Sequence, residues 1–254
     1  MLLNIVQKIL KRRNKTIVKK EEEYYYTIYN GFKIYSKSFK TFKKNGLFDK
    51  IFKDEIYNFK NTSESPRIID CGANIGLATL YWKYKYPEAF IICFEPSKEV
   101  FQILEKNIEV NNIKKVELHN VALSSIEGEL DFTTNENLSG SLFLGKDLEK
   151  KYKVKSTLLS NFINEKVDML KIDIEGAEIE VLQNIESKLI HVENLFLEYH
   201  SFIQKNQQLS YVFSLLENNK FRYFLDGEYR LKTPLINQKV NLSQDLQIGI
   251  WAKK

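Results

Sequence analysis

Two stretches of the chain combine residue types that can bind and transform a small molecule. The first is Asp70-Cys71-Gly72-Ala73-Asn74-Ile75-Gly76, which closes the apolar run 67–72. Gly72 lets the backbone approach a ligand closely, because no Cβ intrudes. Gly76 lets the following helix start near the strand, and a helix start offers free N–H groups. A dinucleotide turn would read G-x-G-x-x-G, with its middle glycine admitting a pyrophosphate. Asn74 holds that position, so a nicotinamide-dependent oxidoreductase is disfavoured. D-x-G-x-x-x-G suits a cofactor without phosphates, whose cationic amino acid part gains from a nearby carboxylate. Glu95 ends the next apolar run, 90–95, where a carboxylate can accept two hydrogen bonds from a ribose diol.

The second stretch is Lys171-Ile172-Asp173-Ile174-Glu175-Gly176-Ala177-Glu178. Strand alternation sets Lys171 and Asp173 on one face, and Glu198 and His200 share a face of the next strand. Neighbouring strand tips would bring Asp173, Glu198 and His200 together. Such a group can take a proton from a hydroxyl or hold a divalent metal such as magnesium. The catalytic candidates are Asp173, His200 and Lys171, and the metal candidates are Asp173, Glu198 and His200. Gly176 opens the helix close to the ligand, and Glu178 suits a helix start, where a carboxylate is favoured. His119 and His191 lack comparable company and read as packing or surface residues. No Asp-Pro-Pro-Tyr-like tetrapeptide grips an amine; Asp173-Ile174-Glu175-Gly176 takes that slot, so a nucleic acid substrate is disfavoured.

Elements of alternating period must carry these residues. Apolar strand-like runs at 67–72, 90–95, 116–123, 167–173, 194–200, 221–225 and 246–252 alternate with helical patterns at 77–86, 97–112, 177–185 and 211–220. Ser97 stands as a helix N-cap, and 128–134 reads as an extra strand. The pattern predicts an α/β fold, with a mainly parallel seven-stranded sheet covered by helices on both faces. Ligands then bind beyond the carboxyl ends of the strands. The segment 134–165 is placed to shape an acceptor pocket.

Upstream, Asn30-Gly31 between β-branched and aromatic runs predicts a hairpin, and 45–60 reads as a helix. Residues 1–13 form a short basic amphipathic helix that could rest on an anionic membrane or on a partner. The first 60 residues hold 15 Lys/Arg against 6 Asp/Glu, whereas the rest holds 23 against 27. A domain of residues 61–254 thus follows a basic extension of residues 1–60. With 254 residues and 43% hydrophobic content, the chain can bury a real core. Two cysteines, Cys71 and Cys93, without paired spacing argue against a disulfide scaffold or a Cys/His zinc site. The absence of a membrane-length apolar run and of a secretory leader suggests a cytoplasmic protein, with peripheral contact at the inner membrane face through residues 1–20.

IIDCGANIG, FEPS, HNVALSS, SGSL, VDMLKIDIEGAEIEVLQNI and LFLEYH, in this order over roughly 66–200, resemble the FkbM-type methyltransferases, which use S-adenosylmethionine. KIDIEGAE is the most specific piece. The resemblance implies a Rossmann-like class I methyltransferase fold and O-methylation of a hydroxyl of a sugar, glycan or related metabolite. It implies Asp70, Gly72, Asn74 and Gly76 at the methionine end, Glu95 with Pro96 at the ribose, and the turn from Asn120 to Ala122 near the adenine. Asp173 also falls at the cofactor. The partners expected are a small-molecule or glycan acceptor and a second copy of the chain. The contrasting expectation is a catalytically idle scaffold recruited through its basic N-terminus.

Overall fold

A computed structural model of the chain describes residues 17–44, 46–134, 140–141, 150–227, 233, 235–236 and 244–254. The helix expected over 1–13 lies outside the described residues, as do Ser139 and Leu142 of SGSL. The chain first forms β1 (Lys19–Glu21), β2 (Tyr24–Tyr29) and β3 (Phe32–Ser36), an antiparallel sheet in that order. Asn30 and Gly31 have φ of 47° and 88°, and Tyr29 pairs with Phe32. A two-residue turn with positive φ at both positions matches the twist of its strands, so the Asn-Gly expectation holds.

The helix expected over 45–60 is confined to α1 (Leu47–Phe52). Tertiary packing overrides periodicity there: Tyr57 and Phe59 are buried outside any helix. Two indoles fix the stretch, Trp82 Nε1 donating to the carbonyl of Tyr57 at 3.0 Å and Trp251 Nε1 to that of Ile56 at 2.7 Å.

The body continues with β4 (Arg67–Cys71), α2 (Leu77–Lys85), β5 (Phe90–Phe94), α3 (Lys98–Val110) and β6 (Val116–His119). Next come β7 (Ala122–Leu123), β8 (Gly128–Thr134), β9 (Gly140–Ser141) and β10 (Lys150–Thr157), a small sheet ordered β7-β10-β8-β9. The chain ends with β11 (Met169–Ile172), α4 (Glu178–Ile185), β12 (Asn194–Phe202), α5 (Leu209–Asn218), β13 (Arg222–Gly227) and β14 (Gln244–Lys253). The large sheet has seven strands, ordered β13-β14-β12-β11-β4-β5-β6, and β14 alone runs against the others.

Successive residues of the central strands face opposite cores, as strand geometry requires. Ile68, Ile91, Met169 and Phe196 pack with α1, α2, α3 and the hairpin. Ile69, Ile92, Leu170 and Leu197 pack with α4 and α5. Burial on both faces explains why these strands read as unbroken apolar runs. Cys71 and Cys93 are free and buried.

Two strand expectations need correction. The run 116–123 is not one strand: β6 ends at His119, and Ala122–Leu123 pair with β10 in the small sheet. The break falls where the chain leaves the sheet at its ligand-binding edge. β10 is a strand that no apolar run announces, although Tyr152 and Val154 alternate with lysines. Both pack against Phe132 and Ala122, so the period-2 signal was present.

The described part of the N-terminal segment packs onto the sheet's own core. Asn107 and Asn111, one helical turn apart at the end of α3, act as surrogate peptide groups for β3. Asn111 Oδ1 accepts from Lys33 N and its Nδ2 donates to Lys33 O, both at 2.8 Å. Asn107 does the same for Tyr35, at 2.7 and 3.0 Å. Its Nδ2 also reaches the carbonyl of Ile75 at 2.8 Å, which links the hairpin to the Asp70–Gly76 turn. Among the described residues, no helix is long and apolar enough to cross a membrane.

Candidate active site

The carboxyl ends of β4, β5 and β11 open on a cleft lined among others by Gly72, Asn74, Glu95, Pro96, Lys171 and Asp173. One end is built mostly from backbone. Gly72 has φ +80°, and a Cβ there would lie 1.8 Å from the carbonyl oxygen of Asp173. Any side chain would push β4 and β11 apart. Gly76, at φ +85°, faces away from the cleft: a Cβ would meet Leu104 of α3 at 2.6 Å. Its absence lets α2 begin against α3.

Glu95 closes this end. Its Oε2 accepts from Asn74 N at 3.0 Å and its Oε1 from Ser97 N at 2.9 Å. Ser97 therefore begins α3 through its backbone, and its side chain makes no cap hydrogen bond. Burial pushes the Glu95 carboxyl up to about 7, against the pull of the two N–H donors. A carboxylate can accept about four hydrogen bonds, so acceptor capacity remains toward the cleft. Asn120 does not line the cleft: its Nδ2 donates to the carbonyls of Glu95 (2.8 Å) and Pro96 (3.1 Å) and fastens the loop. Val121, Ala122 and Leu123 supply that wall, together with Phe94 and Phe132. His119 stacks on Phe94 with ring centroids 5.1 Å apart, a packing role as expected.

The other end is built from charge. Parallel pairing sets Lys171 beside Asp70. Asp70 is fully buried and lies behind the turn, not on the cleft. Thr79 Oγ1 donates to it at 2.9 Å, and Lys171 Nζ stands 3.3 Å away. Lys171 Nζ also donates to the carbonyl of Gly72 at 2.9 Å and lies 3.5 Å from Asp173 Oδ2. Burial opposes its ammonium, but Asp70 and Asp173 outweigh that and hold the group protonated. Asp173 is pushed up by burial but pulled down more strongly by Lys171 and His200, which keeps its carboxyl below the ordinary range.

His200 lies 5% exposed behind Asp173. Its Nδ1 is 2.9 Å from Glu178 Oε1, while Nε2 faces Glu198 and Glu175 at 3.6 and 3.7 Å. Burial works against a charged imidazole, yet these three carboxylates raise its pKa well above the ordinary value. Glu178 Oε1 also accepts from Gly176 N at 2.9 Å and so secures the start of α4. Gly176 itself does not line the cleft.

The strand tips thus gather Asp173, Glu198 and His200, as the alternation argument required. Among the described residues, however, the set that could hold a metal ion is Asp173, Glu175 and His200, whose ligand atoms lie within 4.8 Å of one another. Glu175 is a member that strand alternation does not pick out. It sits at φ 58° in a turn, a conformation that strand periodicity does not describe. Tyr57, Leu47 and Ile51 also line the cleft unforeseen. The Tyr57 ring lies 5.9 Å from Lys171 Nζ. No local motif marks these residues, because long-range packing of the N-terminal segment places them.

The family model for the methyltransferase FkbM domain matches residues 70–223. A methyltransferase of Sordaria araneosa, sdnD, is 32% identical over 178 residues, covering 56% of this chain and 69% of that protein. The 2-O-methyltransferase NoeI of Sinorhizobium fredii is 24% identical over 155 residues, covering 53% and 63%. The crystal structure of an FkbM methyltransferase from Methylobacillus flagellatus superposes with a TM-score of 0.52 at 13% identity, over 81% of this chain. This chain spans 47% of that one. The fold is that of the Rossmann-like methyltransferases, and the chain belongs to the FkbM methyltransferase family.

Proposed function

We propose that this S-adenosylmethionine-dependent methyltransferase methylates a hydroxyl group of a sugar, a glycan or a related small metabolite. The observation that carries the reading is the placement of Asp173. Its ionised carboxylate lines the same cleft as the Gly72 turn and Glu95, and Lys171 holds it in place.

The residues fit the cofactor. The Gly72–Asn74 backbone leaves room beside β4, and Glu95 keeps acceptor capacity for a ribose diol. S-adenosylmethionine, when bound, supplies an electrophilic methyl group on sulfur. The chain's part is then to position an acceptor in line and to remove its proton. Asp173 is the base in this reading. Its low pKa keeps it ionised near neutral pH, and the proton it takes can pass to the neighbouring Glu198 carboxylate. Lys171 is a positioning residue: its ammonium is committed to Asp70, Asp173 and the Gly72 carbonyl.

A hydroxyl acceptor is supported by the ionised carboxylate of Asp173 in the cleft and by the name of NoeI, a 2-O-methyltransferase. The test has two steps. Calorimetry with S-adenosylhomocysteine should show binding; none would overturn the reading. Mass spectrometry should then compare glycans and small metabolites from cells with and without the protein. The expected product gains the mass of one CH2 and is lost with Asp173→Asn. A methyl group found only on nitrogen or carbon would refute hydroxyl transfer.

A further inference from the structure

Five carboxylates, Asp70, Asp173, Glu175, Glu178 and Glu198, face two basic groups, Lys171 and His200, at the tips of β4, β11 and β12. Buried charge is normally paired, so this excess of negative charge invites a cation. A cluster of acids alone would be weak support. A second feature points to a ligand. His200 Nε2 is buried, has no hydrogen-bond partner, and faces the acidic group. A third is the arrangement behind it. Glu178 holds Nδ1 at 2.9 Å, the carboxylate–histidine support that orients a metal-binding imidazole and leaves the other nitrogen to the ion, which displaces its proton on binding.

We propose that Asp173, Glu175 and His200 bind a divalent cation of the manganese class at the floor of the cleft. Six ligands about 2.1 Å from one ion stand about 3 Å apart when adjacent and about 4.2 Å when opposite. The three ligand atoms, all within 4.8 Å of one another, lie close to such spacings. Two carboxylates and one imidazole suit manganese or magnesium better than zinc, which favours closed tetrahedral sets of histidine and cysteine. Asp173 and Glu175 line the cleft, so the ion's remaining positions face the acceptor. An acceptor with adjacent hydroxyls could occupy two of them. Binding of the ion stands on the geometry alone, whereas this role for it rests on the methyl-transfer reading.

Mn²⁺ titrated into the full chain, followed by the electron paramagnetic resonance of free ion, tests the site. A single ion per chain is expected, with affinity reduced at least about tenfold in Glu175→Gln and His200→Ala. No binding at millimolar ion, or full-strength binding in Glu175→Gln, would overturn the proposal. Glu175 stands at the cleft surface, so its variant remains informative even if loss of the buried His200 ring unfolds the chain. Thermal melts establish which variants fold. Calorimetry with S-adenosylhomocysteine separates the two readings. Homocysteine-form binding without the ion refutes the metal alone; an ion bound without it refutes methyl transfer and leaves the site.

Discussion

The two ends of the cleft are built from different materials. From Gly72 to Ser97 the chain works with backbone groups, and Glu95 is satisfied by two N–H donors from its own neighbourhood. From Lys171 to His200 it works with charge, and partners such as Lys171 with Asp70 and His200 with Glu178 come from different elements. Local backbone geometry suits an invariant ligand whose shape must be matched closely. A long-range charged network suits proton movement, because its members tune one another. Lys171 joins the ends by touching the Gly72 carbonyl and Asp173 at once.

Gly72→Ala should have the largest effect, because it strikes the joint. Its Cβ would meet a backbone oxygen that cannot retreat, and the positive φ adds strain. A loss above about 4 kcal/mol is expected, seen as an unfolded or strongly destabilised chain in denaturant titration. A folded variant with unchanged S-adenosylhomocysteine affinity would break the distinction between the ends.

Asp173→Asn should separate them cleanly. Single-turnover rates should fall by about 10²–10⁴. Cofactor-product affinity should change by less than about threefold, since the backbone end is untouched. Equal losses in rate and affinity would show that the ends act as one.

Asn107→Ala removes the surrogate peptide that ties Tyr35 to the Ile75 carbonyl. Leaving buried backbone groups unpaired should cost about 2–3 kcal/mol in chemical denaturation. It should also weaken cofactor binding more than it changes the rate at saturating cofactor. A purely structural role would spare affinity once the variant is folded.

Glu95→Gln is the gentlest change. Loss of a charge-assisted bond should weaken cofactor binding about tenfold. The pH dependence carries a sign. The Glu95 pKa lies near 7 in the fold, so ionisation there strengthens binding to hydroxyl donors. Wild-type affinity should therefore rise as pH increases through about 7, and the variant should be flat. Stability of the ligand-free chain should show the opposite trend. Glu95 is raised from 4.5, so its contribution is full below that pH and is lost as pH rises through about 7.

The sequence was most legible where function depends on local order. Asp70-Cys71-Gly72-Ala73-Asn74-Ile75-Gly76, Glu95 and the strand parity of Lys171 with Asp173 could be read directly, because backbone turns and strand alternation depend on neighbours in the chain. The Asn30-Gly31 hairpin was legible for the same reason. The sheet followed from apolar runs alternating with helical patterns, since burial on both faces demands such runs.

Other features exist only once distant segments meet. Gly72 and Gly76 look alike in sequence, yet one clears the Asp173 carbonyl and the other Leu104. Asp70 and Asn120 are motif residues that stand behind the cleft, because Thr79 and Lys171 engage the first and the backbone carbonyls of Glu95 and Pro96 engage the second. Glu175 joins the acid–histidine group through a turn of positive φ, and Tyr57 reaches the wall through two tryptophans remote in sequence. Short-range sterics and hydrogen bonding act along the chain and leave a readable pattern. Burial and charge pairing act through space, so which residues share a site depends on how strands 100 residues apart are laid side by side, as Lys171 Nζ and the Cys71 carbonyl are.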